Sequence, residues 1–187
     1  MKEIATNIFW IETSAELAEF CGKISQTPVL ALDTEFMRTH TFWPEACLIQ
    51  VGITECYALI DPKSENIDWS PFLALLQDPK IIKVLHAGRQ DMEIFYHLWK
   101  VFPFPLFDTQ VAATMCGHDD NISYENLVQQ TLGLTLDKTQ QFSNWSRRPL
   151  SHRQLLYAAA DVIHLPRLYE ALRNKMGSRH HWVQEDL

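Results

Sequence analysis

Two acids, Asp33 and Glu35, stand two positions apart directly after the apolar run Val29 to Leu32. In an extended chain residues so spaced point to the same face, so two carboxylates share one small surface. Leu32 and Phe36 flank them, which makes free solvation of both difficult, and like charges held together need a cation. Asp91 follows the turn His86-Ala87-Gly88 at the start of a helix, where an acid serves equally well as a partner of the helix dipole. Asp161 lies four residues after Tyr157 in the helical segment Leu155 to Val162, so the two project from one face. The alanines between them allow close approach to a sheet, while Tyr157 also reads as an ordinary half-buried aromatic. Four carboxylates from three segments are a donor set for two divalent ions, Mg²⁺ or Mn²⁺. Such a pair clamps the attacking and leaving oxygens of a phosphoryl displacement, so phosphodiester hydrolysis is the expected chemistry. The remaining acids Asp61, Asp68, Asp78 and the Asp119-Asp120 pair read as solvated turn residues or caps.

The elements that must carry these groups are legible in outline. Thr13 and Glu16 form a capping box before the periodic Leu17, Phe20, Cys21 and Ile24, which predicts a helix over 14–24. Val29 to Leu32, Cys47 to Ile53 and Cys56 to Ile60 read as the first three strands, the last two joined by a hairpin at Thr54-Glu55. A helix is expected after Pro71, then a strand at Ile81 to Leu85, the His86-Ala87-Gly88 turn and a helix through Trp99. Leu106-Phe107 reads as another short strand, with Asp108 capping a helix that runs to Cys116. Ser123 or Asn121 opens a helix ending at Leu132-Gly133, and Ser151 caps a final long helix bent at Pro166. A polar stretch from Lys138 to Pro149 separates these last two. Strands early with helices between and after them predict an α/β or α+β sheet domain.

At 187 residues the chain holds one compact domain. A formal charge of −7 excludes a domain that grips nucleic acid by bulk positive charge. Cys21, Cys47, Cys56 and Cys116 include no Cys-x-x-Cys pair, so buried free thiols are expected and not a zinc or redox motif. No signal-peptide core and no apolar run of membrane-spanning length is seen, so a cytoplasmic protein with no membrane association is expected.

Taken in order, Asp33-Thr34-Glu35-Phe36, His86-Ala87 with Asp91, and Tyr157-Ala158-Ala159-Ala160-Asp161 resemble the three exonuclease motifs of the DEDD 3'-5' exonucleases. The resemblance spans most of the chain. Leu48-Ile49-Gln50-Val51, Asp108-Thr109-Gln110, Leu136-Asp137-Lys138 and Trp145 through Arg148-Pro149-Leu150 are similar, in order and approximate spacing, to bacterial ribonuclease D. The tyrosine type (DEDDy) of that superfamily has Tyr four residues before the last acid, and the histidine type has His five before it. Here those positions are Tyr157 and Leu156, with His152 nine residues before Asp161.

The resemblance implies a ribonuclease H-like fold, a mixed β-sheet flanked by α-helices. It implies a single catalytic domain over 1–187, without the C-terminal helical RNA-binding domains of ribonuclease D. It implies a 3'-5' exoribonuclease of tRNA 3' processing or RNA turnover that releases nucleoside 5'-monophosphates. Asp33, Glu35, Asp91 and Asp161 would hold two Mg²⁺ or Mn²⁺ ions, and Tyr157 would orient the attacking water. Phe36 and Met37 would line the seat of the terminal nucleotide, with core packing the plainer reading of Met37. Lys138, Arg147, Arg148 and Arg153 would meet phosphates, or else form a solvated loop. His86 would support the metal shell, or be a satisfied turn histidine. The implied partner is RNA with a free 3' hydroxyl, preferably single-stranded. Two other readings stay open: a DNA exonuclease of proofreading type, which would share the four acids and the tyrosine, and a non-catalytic nucleic-acid or protein module.

Overall fold

The protein was analysed as a computed structural model that describes residues 1–38, 43–137 and 139–177, with the backbone alone at 2–4. Fourteen elements follow one another: β1 (Lys2–Ala5), β2 (Ile8–Ile11), α1 (Ser14–Ile24), β3 (Val29–Met37), β4 (Glu45–Ile53), β5 (Cys56–Ile60), α2 (Ser70–Gln77), β6 (Ile82–Leu85), α3 (Arg89–Trp99), β7 (Leu106–Asp108), α4 (Thr109–Met115), α5 (Tyr124–Leu132), α6 (His152–Ile163) and α7 (Leu165–Met176). The strands form one mixed sheet in the order β1-β2-β5-β4-β3-β6-β7. β3 lies near its centre, antiparallel to β4 and parallel to β6. The expected α/β sheet flanked by helices is what forms.

Period-two alternation sorts side chains between two cores. Leu30 and Leu32 of β3 pack with Leu17 and Phe20 of α1, Phe72 and Leu76 of α2 and Phe95 of α3. Ala31 points the other way, into a core shared with Ala112 of α4, Leu127 of α5, Ala158, Ala159 and Val162 of α6 and Leu168 of α7. α6 can lie close to the sheet because Ala158 and Ala159 are fully buried and Gly52 sits beneath it. A Cβ at Gly52 would meet Tyr57 Cδ1 at 2.9 Å and Val162 at 3.3 Å.

Three expectations need correction. The strands Val29 to Leu32, Cys47 to Ile53 and Cys56 to Ile60 do not come first, because β1 and β2 form an antiparallel pair before α1. Each is only four residues long, and the turn between them takes a positive φ at Asn7, which marks no turn as clearly as Asn-Gly would. The final helix is not one bent helix. It stops at His164 and restarts as α7 with Pro166 in its first turn, where the missing N–H costs nothing. Asp61 is not a solvated turn residue. It is buried and receives Arg148 Nε and Nη2, each at 2.6 Å, across 87 positions of sequence.

Lys83 on β6 is fully buried, and its ammonium donates to the carbonyls of Asp78, Ile81 and Phe104 at 2.6–2.8 Å. Burial lowers its pKa to about 8. The four cysteines are free thiols, Cys21, Cys47 and Cys56 buried and Cys116 partly so. No helix among the described residues is long and apolar enough to cross a membrane.

Candidate active site

Asp33 and Glu35 continue the alternation of β3, so they follow Ala31 onto the α6 side while Thr34 follows Leu32 onto the α3 side. Asp161 and Tyr157 descend on α6 from above. Asp91 arrives from the first turn of α3, where Thr34 Oγ1 donates to its Oδ1 at 2.5 Å. The turn before α3 is set by Ala87 at φ 53°, a left-handed conformation costing about 1–2 kcal/mol. Asp108 sustains it, accepting from the amides of Ala87 and Gly88 while also capping α4 through Gln110 N. Asp108 is therefore a cap, as expected, and in addition a brace for the Asp91 turn.

The four acids feel one another. Burial first, then the charges of Asp91, Asp161 and Glu35, hold the Asp33 carboxyl well above its usual range. Burial followed by Asp161 and Asp91 pushes Glu35 up to about 9, and burial followed by Glu125 pushes Asp161 to about 8. Asp91 rises only to about 6, because burial is opposed by the Thr34 hydrogen bond. The Tyr157 hydroxyl is also driven above its ordinary range, by burial and then by Asp161 and Glu35. Buried carboxylates that raise one another in this way ask for positive charge, and an all-oxygen donor set suits a hard divalent ion. Among the described residues no set of three or more His, Cys, Asp or Glu side chains is already gathered as a metal cage.

The substrate residues expected from sequence divide. Phe36 and Met37 end β3 half-buried, just beyond an irregularity of register between Glu35 and Phe36. Met37 packs on the α6-side core. Arg147 is exposed, and Arg153 lines an open cleft of about 570 Å³ with Tyr157, Ala160 and Gln140. Arg148 is committed elsewhere: besides Asp61 it donates to the carbonyls of Cys47 and Trp145. The expected phosphate contact of Arg148 is corrected accordingly, since its guanidinium clamps the 144–150 segment onto the sheet. His86 has both ring nitrogens engaged, Nδ1 with Thr109 Oγ1 at 2.9 Å and Nε2 with the Ile122 carbonyl at 3.0 Å. It is a satisfied turn histidine. Lys138 and His180-His181 lie outside the described residues.

Four residues near the acids were given no role in the sequence reading, although Gln50 and Trp145 lie in motifs that carried the resemblance. Gln50 sits opposite Asp33 in the β3–β4 register, fully buried, with neither side-chain atom hydrogen-bonded among the described residues. Cross-strand partners share a face, so this orphaned amide lies beside Asp33; the polar residue inside an apolar strand was the available signal. Tyr124 is half-buried, donates to the Ala160 carbonyl at 3.0 Å and feels Asp161 and Asp33. Glu125, next to it, adds a fifth negative charge felt by Asp161 and Tyr157. Trp145 is buried with its ring centroid 6.0 Å from that of Tyr157.

Comparison with known proteins agrees with this geometry. A family model described as 3'-5' exonuclease matches residues 8–177. The chain is 46% identical over 179 residues to a ribonuclease D of Granulibacter bethesdensis, covering 95% of this chain and 45% of that one. It superposes on the crystal structure of Escherichia coli RNase D, described as an exoribonuclease involved in structured RNA processing, with TM-score 0.87 and 43% identity over 90% of this chain and 45% of the other. A structure of Brucella melitensis NrnC with bound Mg²⁺ is similar at TM-score 0.75 and 25% identity, covering 85% of this chain and 79% of that one. The chain spans a little under half the length of the ribonuclease D relatives it matches.

Proposed function

The chain belongs to the 3'-5' exonuclease family, and we propose that it removes nucleotides one at a time from a free 3' end of RNA, in the cytoplasm, releasing nucleoside 5'-monophosphates. The observation that carries this reading is that β3, α3 and α6 bring Asp33, Glu35, Asp91 and Asp161 near enough for their charges to act on one another, with Tyr157 within the same field. The preference for RNA is supported by the likeness to ribonuclease D proteins. Divalent-metal dependence is supported by the carboxylate donor set and by the Mg²⁺ bound to the related NrnC.

Asp33, Glu35, Asp91 and Asp161 would hold two Mg²⁺ or Mn²⁺ ions. When bound, such ions would lower the pKa of water toward about 7 and offset charge on the leaving 3' oxygen. Tyr157 orients the attacking water through its hydroxyl; an acidity pushed above the phenol range rules it out as the base at neutral pH. Trp145 backs the Tyr157 ring, and Thr34 aims Asp91. Phe36 borders the terminal nucleotide as a stacking or wedging surface, and Arg147 and Arg153 meet its phosphates.

The test uses matched single-stranded RNA and DNA labelled at the 5' end, with and without chelator. A descending ladder on RNA that disappears in chelator and returns with Mg²⁺ or Mn²⁺ is expected. Internal cuts in a circular substrate, or full activity in chelator, would overturn the reading; equal rates on DNA would replace the substrate class.

A further inference from the structure

α3 divides its side chains between two tasks. Asp91, Ile94 and Phe95 face inward, while Arg89, Met92, Glu93 and Tyr96 recur at helical spacing and form one wall of a groove of about 790 Å³. Its other wall is Phe102, Phe104 and Val111, and Leu106 of the edge strand β7 contributes to the lining. Phe104 and Phe102 are 60% and 54% exposed, a costly way to hold aromatic rings unless something covers them. They are not on a loose loop. Phe104 N donates to Leu76 O at 3.0 Å, the buried Lys83 ammonium holds Phe104 O, and Lys83 N donates to Pro105 O at 2.9 Å. Tyr96 and Phe102 stack at 4.9 Å with planes only 12° apart, and both rings remain exposed.

The charge around the groove selects its occupant. Arg38 and Arg89 both approach Glu93, and Lys100 stands 5.1 Å over the Tyr96 ring, so cations outnumber that acid on a chain of net charge −7. Asp108 also lines the groove, but its carboxylate is occupied by the amides of Ala87, Gly88 and Gln110. Flat rings interleaved with cations are the pattern that binds single-stranded nucleic acid without reading its sequence. A partner strand is disfavoured, because β7 is only three residues long and the Pro103 and Pro105 that lead into it supply no N–H. The groove also begins at Ala87-Gly88, the same turn that delivers Asp91.

We propose that this groove is a stacking platform for the bases of single-stranded RNA upstream of the terminal nucleotide, a reading that rests on the proposed exonuclease activity. It would explain how an acidic domain retains RNA: by stacking first and by local cations second.

The experiment compares the KM of a single-stranded RNA decamer with that of a 5'-phosphorylated dinucleotide, for the wild type and for the double variant Phe102→Ser, Phe104→Ser. These exposed positions let the variant fold, which thermal melting checks. The ratio of dinucleotide to decamer KM is expected to fall about tenfold or more, with kcat on the decamer retained, and Phe104→Trp is expected to preserve the ratio. An unchanged ratio overturns the platform while leaving the exonuclease reading intact. If no substrate is cleaved, anisotropy of the labelled decamer in chelator decides instead: weaker binding by the variant supports the platform, equal binding overturns it. A variant that changes oligomeric state with an unchanged ratio would assign the groove to a second copy of the chain and likewise overturn the proposal.

Discussion

Thr34 and Asp91, 57 positions apart in sequence, are joined by a 2.5 Å hydrogen bond that ties the central strand to the first turn of α3. The strand thus presents two acids on one face and, from the residue between them, steers a third acid from the opposite layer. Thr34→Val keeps the shape and removes the donor. Loss of an outer hydrogen bond to a metal ligand costs about 10- to 100-fold in activity or metal affinity. Because that bond favours ionised Asp91, whose pKa stands at about 6, its loss should also move the acid limb of the pH–rate profile upward. A profile superimposable on that of the wild type would show that the bond is only structural.

Gln50 offers the opposite trade. Its buried amide has no partner among the described residues, so Gln50→Met should leave stability equal or raise it by about 1 kcal/mol. Beside Asp33 that amide is placed to support a metal ligand, so Mn²⁺ affinity measured by calorimetry should fall by about 10-fold or more. Unaltered Mn²⁺ binding would make Gln50 an unexplained burden on the core.

Tyr157 and Asp161 share a helical face but not a role. Asp161→Asn removes a carboxylate ligand and should abolish both cleavage and tight Mn²⁺ binding. Tyr157→Phe should bind Mn²⁺ normally and bind RNA, yet cleave about 10²-fold more slowly in single turnover, the usual cost of one positioned catalytic hydrogen bond. Cleavage by Tyr157→Phe at the wild-type rate would return Tyr157 to a packing role.

The metal-free protein should lose stability as pH rises. Glu35, Asp161 and Asp91 carry folded-state pKa values near 9, 8 and 6, all above the unfolded carboxylate range of about 4. Between those limits the folded chain binds more protons than the unfolded one, so stability present at the acid end is lost toward pH 9. Melting temperature in chelator should therefore decline from pH 5.5 to 8.5, and Mg²⁺ or Mn²⁺ should flatten the decline. A flat profile in chelator would mean that neither burial nor neighbouring charge raises these carboxyls in the folded state.

The acids and the tyrosine were legible because each obeys a local rule: alternation for Asp33 and Glu35, a helix start for Asp91, four-residue spacing for Tyr157 and Asp161. What stayed hidden depended on distant partners. Asp61 looks like a turn residue beside Pro62 until Arg148 is seen to reach it. Tyr124 and Glu125 look like any helix start until α5 is seen to begin beside the acids. β1 and β2 are too short to show alternation, and the break at His164 depends on how α7 packs.

The site draws on the centre of the sheet, on α3 and on α6, and α6 rests on β3, β4 and β5. Synthesis from the N-terminus therefore delivers Asp33 and Glu35 long before Asp161. Domains fold as their sequence emerges from the ribosome, and here the last of the four acids arrives after the seven strands of the described residues have been made. Until α6 has been made and closes over the sheet, the nascent chain lacks both Asp161 and Tyr157, and with them the complete set of acids.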